Sequence, residues 1–165
     1  EATGTDCGGN ELEGGAPEFY KGAAVTPVYE PLFLQINKLR QKVEAGCDFV
    51  TTQMFFDNNI LYNFLYRIRE KGITVPVLPG IMPVTNKKQI ARIGGLSGTI
   101  LPERFRAIVD RFGDDPGAMQ QAGIAYATDQ IIDLIANGVN HIHVYSMNKP
   151  EVAEAIMRNL SEIVA

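Results

Sequence analysis

Gln53 is the residue whose setting most suggests chemistry. It ends the β-prone run Asp48-Phe49-Val50-Thr51-Thr52-Gln53, and Met54-Phe55-Phe56 and the acid Asp57 follow it. A primary amide delivered by a strand end can donate and accept hydrogen bonds at once, which suits the edge of a flat heterocycle. The other reading of Gln53 is that it satisfies backbone groups at the strand end. A second apolar run, Val75-Pro76-Val77-Leu78, opens into Pro79-Gly80-Ile81-Met82-Pro83-Val84, again a strand leading to a loop. Neither stretch carries a Ser–His–Asp set, paired carboxylates or Cys/His metal spacing. The chemistry on offer is recognition of a ring, such as a pterin or nicotinamide, by uncharged polar groups.

Other residues admit a functional and a structural reading. Lys42 could reach a cofactor phosphate or ribityl chain, but helical periodicity favours a solvated surface charge. His141 and His143 share a strand face and could begin a metal site, yet no third ligand is visible, and packing or a backbone hydrogen bond is the default. Asp114-Asp115 before Pro116 reads as a helix N-cap. Phe55-Phe56 reads as core. Glu11, Glu13 and Glu18 need no special role.

The elements that must position these residues alternate. Strands are expected over residues 22–26, 49–53, 75–79 and 141–145. Helices are expected over 31–45, with Pro31 in the first turn, and from Asp57 to a stop at Gly72. Three more open at Asn86 (with Ile90 and Ile93 apolar), at Pro102, and at Asp115-Pro116, the last ending at Gly138. A final helix opens at Asn148 with Pro150 in its first turn. Apolar residues at i, i+3, i+4 and i+7 carry the helices. Such alternation predicts an α/β fold with parallel strands and right-handed crossovers. Four units make half of a (β/α)8 TIM barrel, whose chemistry collects at the C-terminal rim. That half would leave two strand edges and an inner face uncovered, so a partner half is expected. The Gly-rich residues 1–18 read as a flexible lead-in, and residues 19–165 as the domain.

Composition narrows the class. The chain has 165 residues, a net charge of −4, 45% hydrophobic and 21% charged residues. That balance gives no footprint for nucleic acid or an anionic membrane. No apolar run approaches the ~18 residues of a membrane span. Cys7 and Cys47 form no motif, and a reducing, cytoplasmic setting is expected. Residue 1 is Glu, which points to a processed, trimmed or partial chain.

Four segments in this order resemble the bacterial type of methylenetetrahydrofolate reductase. They are Lys42-Val43-Glu44-Ala45-Gly46, Thr52-Gln53-Met54-Phe55-Phe56-Asp57, Pro79-Gly80-Ile81-Met82-Pro83-Val84-Thr85-Asn86 and His143-Val144-Tyr145-Ser146-Met147-Asn148. The resemblance implies a TIM barrel that binds FAD, takes hydride from NADH or NADPH, and reduces methylenetetrahydrofolate to methyltetrahydrofolate. It implies that Gln53 bonds the pterin, that Gln89 lies near the folate and that Met147 packs on it. Ala24, Thr26, Lys42 and Ala45 would contact FAD. Ile93 stands where the family often has a stacking Phe, and Thr26 where it often has Tyr. The family's acid Glu and flavin-tuning Asp match no segment here, so catalytic residues are expected outside this chain. Its four strands would be strands 5 to 8, with an N-terminal half or a second copy as partner. Other readings are a non-catalytic folate-binding or barrel-completing subunit, and a pterin-dependent methyltransferase, which would carry no flavin.

Overall fold

Residues 4–28, 30–90, 93 and 101–164 are described in a computed structural model. The elements run β1 (Gly22–Val25), α1 (Leu32–Glu44), β2 (Phe49–Thr52), α2 (Asn58–Glu70), β3 (Val77–Leu78), β4 (Gly80–Ile81), α3 (Glu103–Phe112), α4 (Pro116–Ala136), β5 (His143–Val144) and α5 (Pro150–Asn159). Every strand pairing between them is parallel: β1 with β2, β2 with β3, and β4 with β5. The architecture is α/β, a part of a β/α barrel wall.

The expected strand over 75–79 is in fact two segments with different partners. β3 pairs with β2, and after Pro79 the chain pairs with β5 as β4. The Val50 N–H donates to Pro76 O at 2.9 Å on one side, and the His143 N–H to Pro79 O at 2.9 Å on the other. The next rung towards the start of β5 would need an N–H at residue 79, which proline lacks. That is why the expected strand over 141–145 starts only at His143 in β5 (His143–Val144).

Local signals set the helix ends. Asp57 caps α2, accepting from Asn59 N at 3.0 Å, and Asp115 caps α4, accepting from Gly117 N and Ala118 N. Pro31 is the N-cap of α1 rather than a first-turn residue, because its ψ of 134° is extended. Asn86 opens a helical stretch at residues 87–90, and the expected continuation lies outside the described residues except for buried Ile93.

Helices cover one face of the sheet. Val25 and Val50 pack against Ile36, Leu39, Phe64 and Ile68. Ile81 packs with Phe55, Leu61, Ile131, Leu134 and Ile156. Phe55 and Phe56 are core, as their sequence suggests. On the opposite face Gly22, Ala24 and His143 are exposed, and Phe49, Thr51, Gln53, Leu78 and Tyr145 are half-buried. The two-residue period of a strand thus puts one set under helices and leaves the other open. Residues 4–12 form an exposed turn closed by a Thr5–Glu11 bridge and by Asp6, whose carboxylate accepts from Gly8 N and Asn10 N. Among the described residues no helix is long and apolar enough to cross a membrane.

Two contacts fix the helix layer. Gly123 of α4 lies so close to the loop after β4 that an added Cβ would overlap the Val84 carbonyl. Asp133 of α4 accepts from Tyr62 Oη at 2.7 Å and Asn58 Nδ2 at 2.6 Å, tying α4 to α2. These bonds, Asn58 first, hold the Asp133 acid below the usual carboxylate range. Burial, then the Asp133 bond, pushes the Tyr62 hydroxyl up to about 12.

Gly123→Ala is expected to destabilise by roughly 1–3 kcal/mol, overpacking outweighing the ~1 kcal/mol that alanine gains in a helix. A rise in melting temperature would refute that packing account. A folded-state pKa raised above the ordinary 10.0 means a stabilising contribution complete below pH 10 and lost as pH climbs towards about 12. Alkaline denaturation should therefore show a loss in the native chain over that window that is missing in Tyr62→Phe, and parallel profiles would contradict it.

Candidate functional site

The rim is built where β1, β2 and β5 end. Ala24 pairs with Thr51 and Val25 with Thr52, so the two strands finish level. The Gln53 N–H donates to Val25 O at 2.7 Å. Thr52, fully buried, is gripped from the other side. Its Oγ1 accepts from Gly80 N at 2.8 Å, and its carbonyl accepts from Tyr145 Oη at 3.0 Å. Residue 80 must be glycine for this: a Cβ would overlap the Thr52 carbonyl and the Tyr145 ring. The Gln53 carboxamide itself makes no hydrogen bond among the described residues, although the residue is half-buried. The fold does not use it to satisfy backbone groups at the strand end.

Lys42 departs from the solvated charge that periodicity favours. From the last turn of α1 its Nζ donates to the Ala24 carbonyl. That carbonyl points away from β2, so Lys42 covers an edge that no strand pairs among the described residues. One of its three donors is used. Ala24 is exposed on the open face and Thr26 directly follows β1. Ala45 lies apart from the rim, at the C-cap of α1, beside Gly46, which approaches the Lys21 side chain.

Gln89 is partly committed. Its Oε1 accepts from Thr85 N at 2.8 Å and Asn86 N at 3.2 Å, while Asn86 Oδ1 accepts from Gln89 N at 3.1 Å. This reciprocal arrangement is a capping box. Its Nε2 is the group left to meet a ligand. Ile93 is 3% exposed and packs with Phe56, Met82, Val84 and Phe105, beneath the surface. Met147 is 52% exposed. Met147 and Asn148 both have left-handed backbones, φ 53° and 58°. Two consecutive non-glycine residues in that region are uncommon and mark a strained rim turn.

Sequence reasoning missed Lys149. Its Nζ donates to Thr85 Oγ1 at 2.9 Å, and Thr85 is 5% exposed. The only available signal was its place directly after the rim segment ending at Asn148. It makes the rim cationic on one side, joining Lys149 to Gln89 through Thr85. Asp48 is used at the opposite end of the strands, accepting from Lys21 N at 2.6 Å. His143 stands on the open face with its ring edge-on to Tyr145, 4.6 Å between centroids. No group of three His, Cys, Asp or Glu able to hold a metal exists among the described residues. A polar cleft of about 500 Å³ lies on the helix side, lined by Asn58, Arg104, Tyr126, Asp129 and Gln130, with Arg104 and Asp129 ion-paired across it at 2.8 Å.

Comparison with known proteins assigns the family. The family profile "Methylenetetrahydrofolate reductase" matches residues 20–161. "Methylenetetrahydrofolate reductase (NADH) 1" of Zea mays is 37% identical over 125 residues, 76% of this chain and 21% of that protein. "5,10-methylenetetrahydrofolate reductase" of Pectobacterium carotovorum is 32% identical over 122 residues, 74% of this chain and 41% of that protein. The chain therefore spans between about a fifth and two fifths of these relatives' length. A solved structure, an "Uncharacterized protein from Clostridium thermocellum" that "binds two copies of 5-methyl-5,6,7,8-tetrahydrofolic acid", superposes with a TM-score of 0.59 at 16% identity. It covers 87% of this chain and 52% of its own, and shows a shared fold. With the profile running from just before β1 through α5, the chain belongs to the methylenetetrahydrofolate reductase family.

Proposed function

We propose that this chain forms the pterin-binding side of a flavin-dependent reductase that converts 5,10-methylenetetrahydrofolate to 5-methyltetrahydrofolate with hydride from NADH or NADPH. The observation that carries the reading is the half-buried Gln53 carboxamide, unpartnered among the described residues at the end of β2 on the open face. The names of the relatives and the folate in the Clostridium thermocellum structure support it.

In this reading Gln53 donates to and accepts from the pterin edge. Gln89 offers Nε2, Met147 gives apolar cover, and Ile93 backs the loop beneath. Lys149 offers a cation to an anionic part of the ligand. A flavin ring fits the open face of β1 at Ala24, which adds little bulk there, with the Phe49 ring covering Gly22 as its neighbour. Ala24, Thr26, Lys42 and Ala45 would hold FAD, and Lys42 keeps two donors for it. When bound, FAD supplies the hydride relay. The protein's part is to orient the folate and exclude water from one side of it. The strands are read as 5 to 8 of the barrel, residues 1–18 as a lead-in, the partner as an N-terminal half or a second copy, and the catalytic acid as coming from outside this chain. Localisation is read as cytoplasmic.

The rim residues Thr26, Gln53, Tyr145, Met147 and Lys149 include no carboxylate. That favours, as second reading, a folate-binding or barrel-completing subunit without turnover. Flavin absorbance of the purified protein, with methyltetrahydrofolate formation, separates the two.

Gln53→Ala is expected to weaken 5-methyltetrahydrofolate binding by about tenfold or more, with melting temperature and flavin content unchanged. Isothermal titration checks this, and unchanged affinity would overturn the assignment.

A further inference from the structure

We propose that Tyr145 and Thr52 are positioning residues for Gln53, acting through the peptide that joins Thr52 to it. This rests on the reading of Gln53 as the pterin ligand. Continued regularly, the β2–β3 ladder would send the Gly80 N–H to the Thr52 carbonyl. That rung is absent. Gly80 N donates to the Thr52 hydroxyl at 2.8 Å, and the carbonyl is left to the Tyr145 hydroxyl at 3.0 Å.

A buried carbonyl needs a partner, and here a side chain from β5 supplies it by reaching across Gly80. Together with the 2.7 Å bond from Gln53 N to Val25 O, the 52–53 peptide is bonded from two strands, β1 at its N–H and β5 at its carbonyl, while β4 holds the Thr52 hydroxyl beside it. Packing alone would be served by phenylalanine at 145, but only tyrosine reaches the carbonyl. Gln53 follows that peptide directly, so freedom in the peptide plane becomes error in where the carboxamide points. Tyr145 also leads into the strained Met147–Asn148 turn, so one side chain links both walls of the rim.

The test is a double-mutant cycle on the flavin-loaded protein, reading 5-methyltetrahydrofolate affinity and melting temperature for Tyr145→Phe, Gln53→Ala and the pair. Tyr145→Phe should weaken binding about fivefold when Gln53 is present and add nothing once Gln53→Ala is made. A merely structural tyrosine would lower the melting temperature in both backgrounds and weaken binding equally in both, or in neither, and either result overturns the proposal. If Gln53→Ala alone leaves affinity intact, the pterin reading has failed instead. Thr52→Val, which drops the Gly80 bond of the same clamp, reads the same coupling should Tyr145→Phe not fold, and an equal loss with and without Gln53 again overturns it.

Discussion

Pro79 has no amide hydrogen to give, and it stands where the sheet changes partners. Before it the chain pairs with β2, and after it with β5. Much of the rim depends on that handover. The ladder to β2 stops one rung short, which leaves the Thr52 carbonyl to a side chain from β5. Gly80 must lack a Cβ so that the side chain can pass. A straight strand over the same residues would pair Thr52 by backbone alone and leave Tyr145 without its role.

The helix layer gives this wall its rigidity and leaves its other face available. Burial of Val50, Leu39, Phe64 and Ile68 on one side, and of Ile81, Leu61, Ile131 and Leu134 further along, puts the apolar driving force behind the sheet. α4 sits against the 82–85 loop because Gly123 allows it, and Asp133 locks α4 to α2. The open face carries Ala24, Thr51, Gln53 and His143 beside the larger Phe49, Leu78 and Tyr145. Small groups beside a strand edge and an unpartnered amide at its end are what a flat ligand needs.

Helices and their caps were legible in the sequence because they are local. Asp57, Asp115 and the positive-φ glycines at 46, 72 and 138 announce their roles within a few residues. Strand partners were not legible. An apolar run at 75–79 has the same pattern whether it pairs with one neighbour or divides between two. Lys42 illustrates the same limit: helical spacing put it on a surface, but its long side chain folds back onto the Ala24 carbonyl, 18 residues away. Gln89 looked like a ligand group, and half of it is spent on a helix start. Lys149 was hidden because its partner, Thr85, is distant in sequence. Gln53 was legible as a candidate, but the grip of β1 and β5 on the peptide before it was not.

The most direct measurement is the side-chain NH2 resonance of Gln53, assigned by ¹⁵N labelling and followed as 5-methyltetrahydrofolate is added to the flavin-loaded protein. The account predicts that this pair shifts and exchanges more slowly with water as the ligand saturates, while the Thr52 amide stays where it was. Saturable binding that moves other rim resonances and leaves the Gln53 pair unchanged would contradict it.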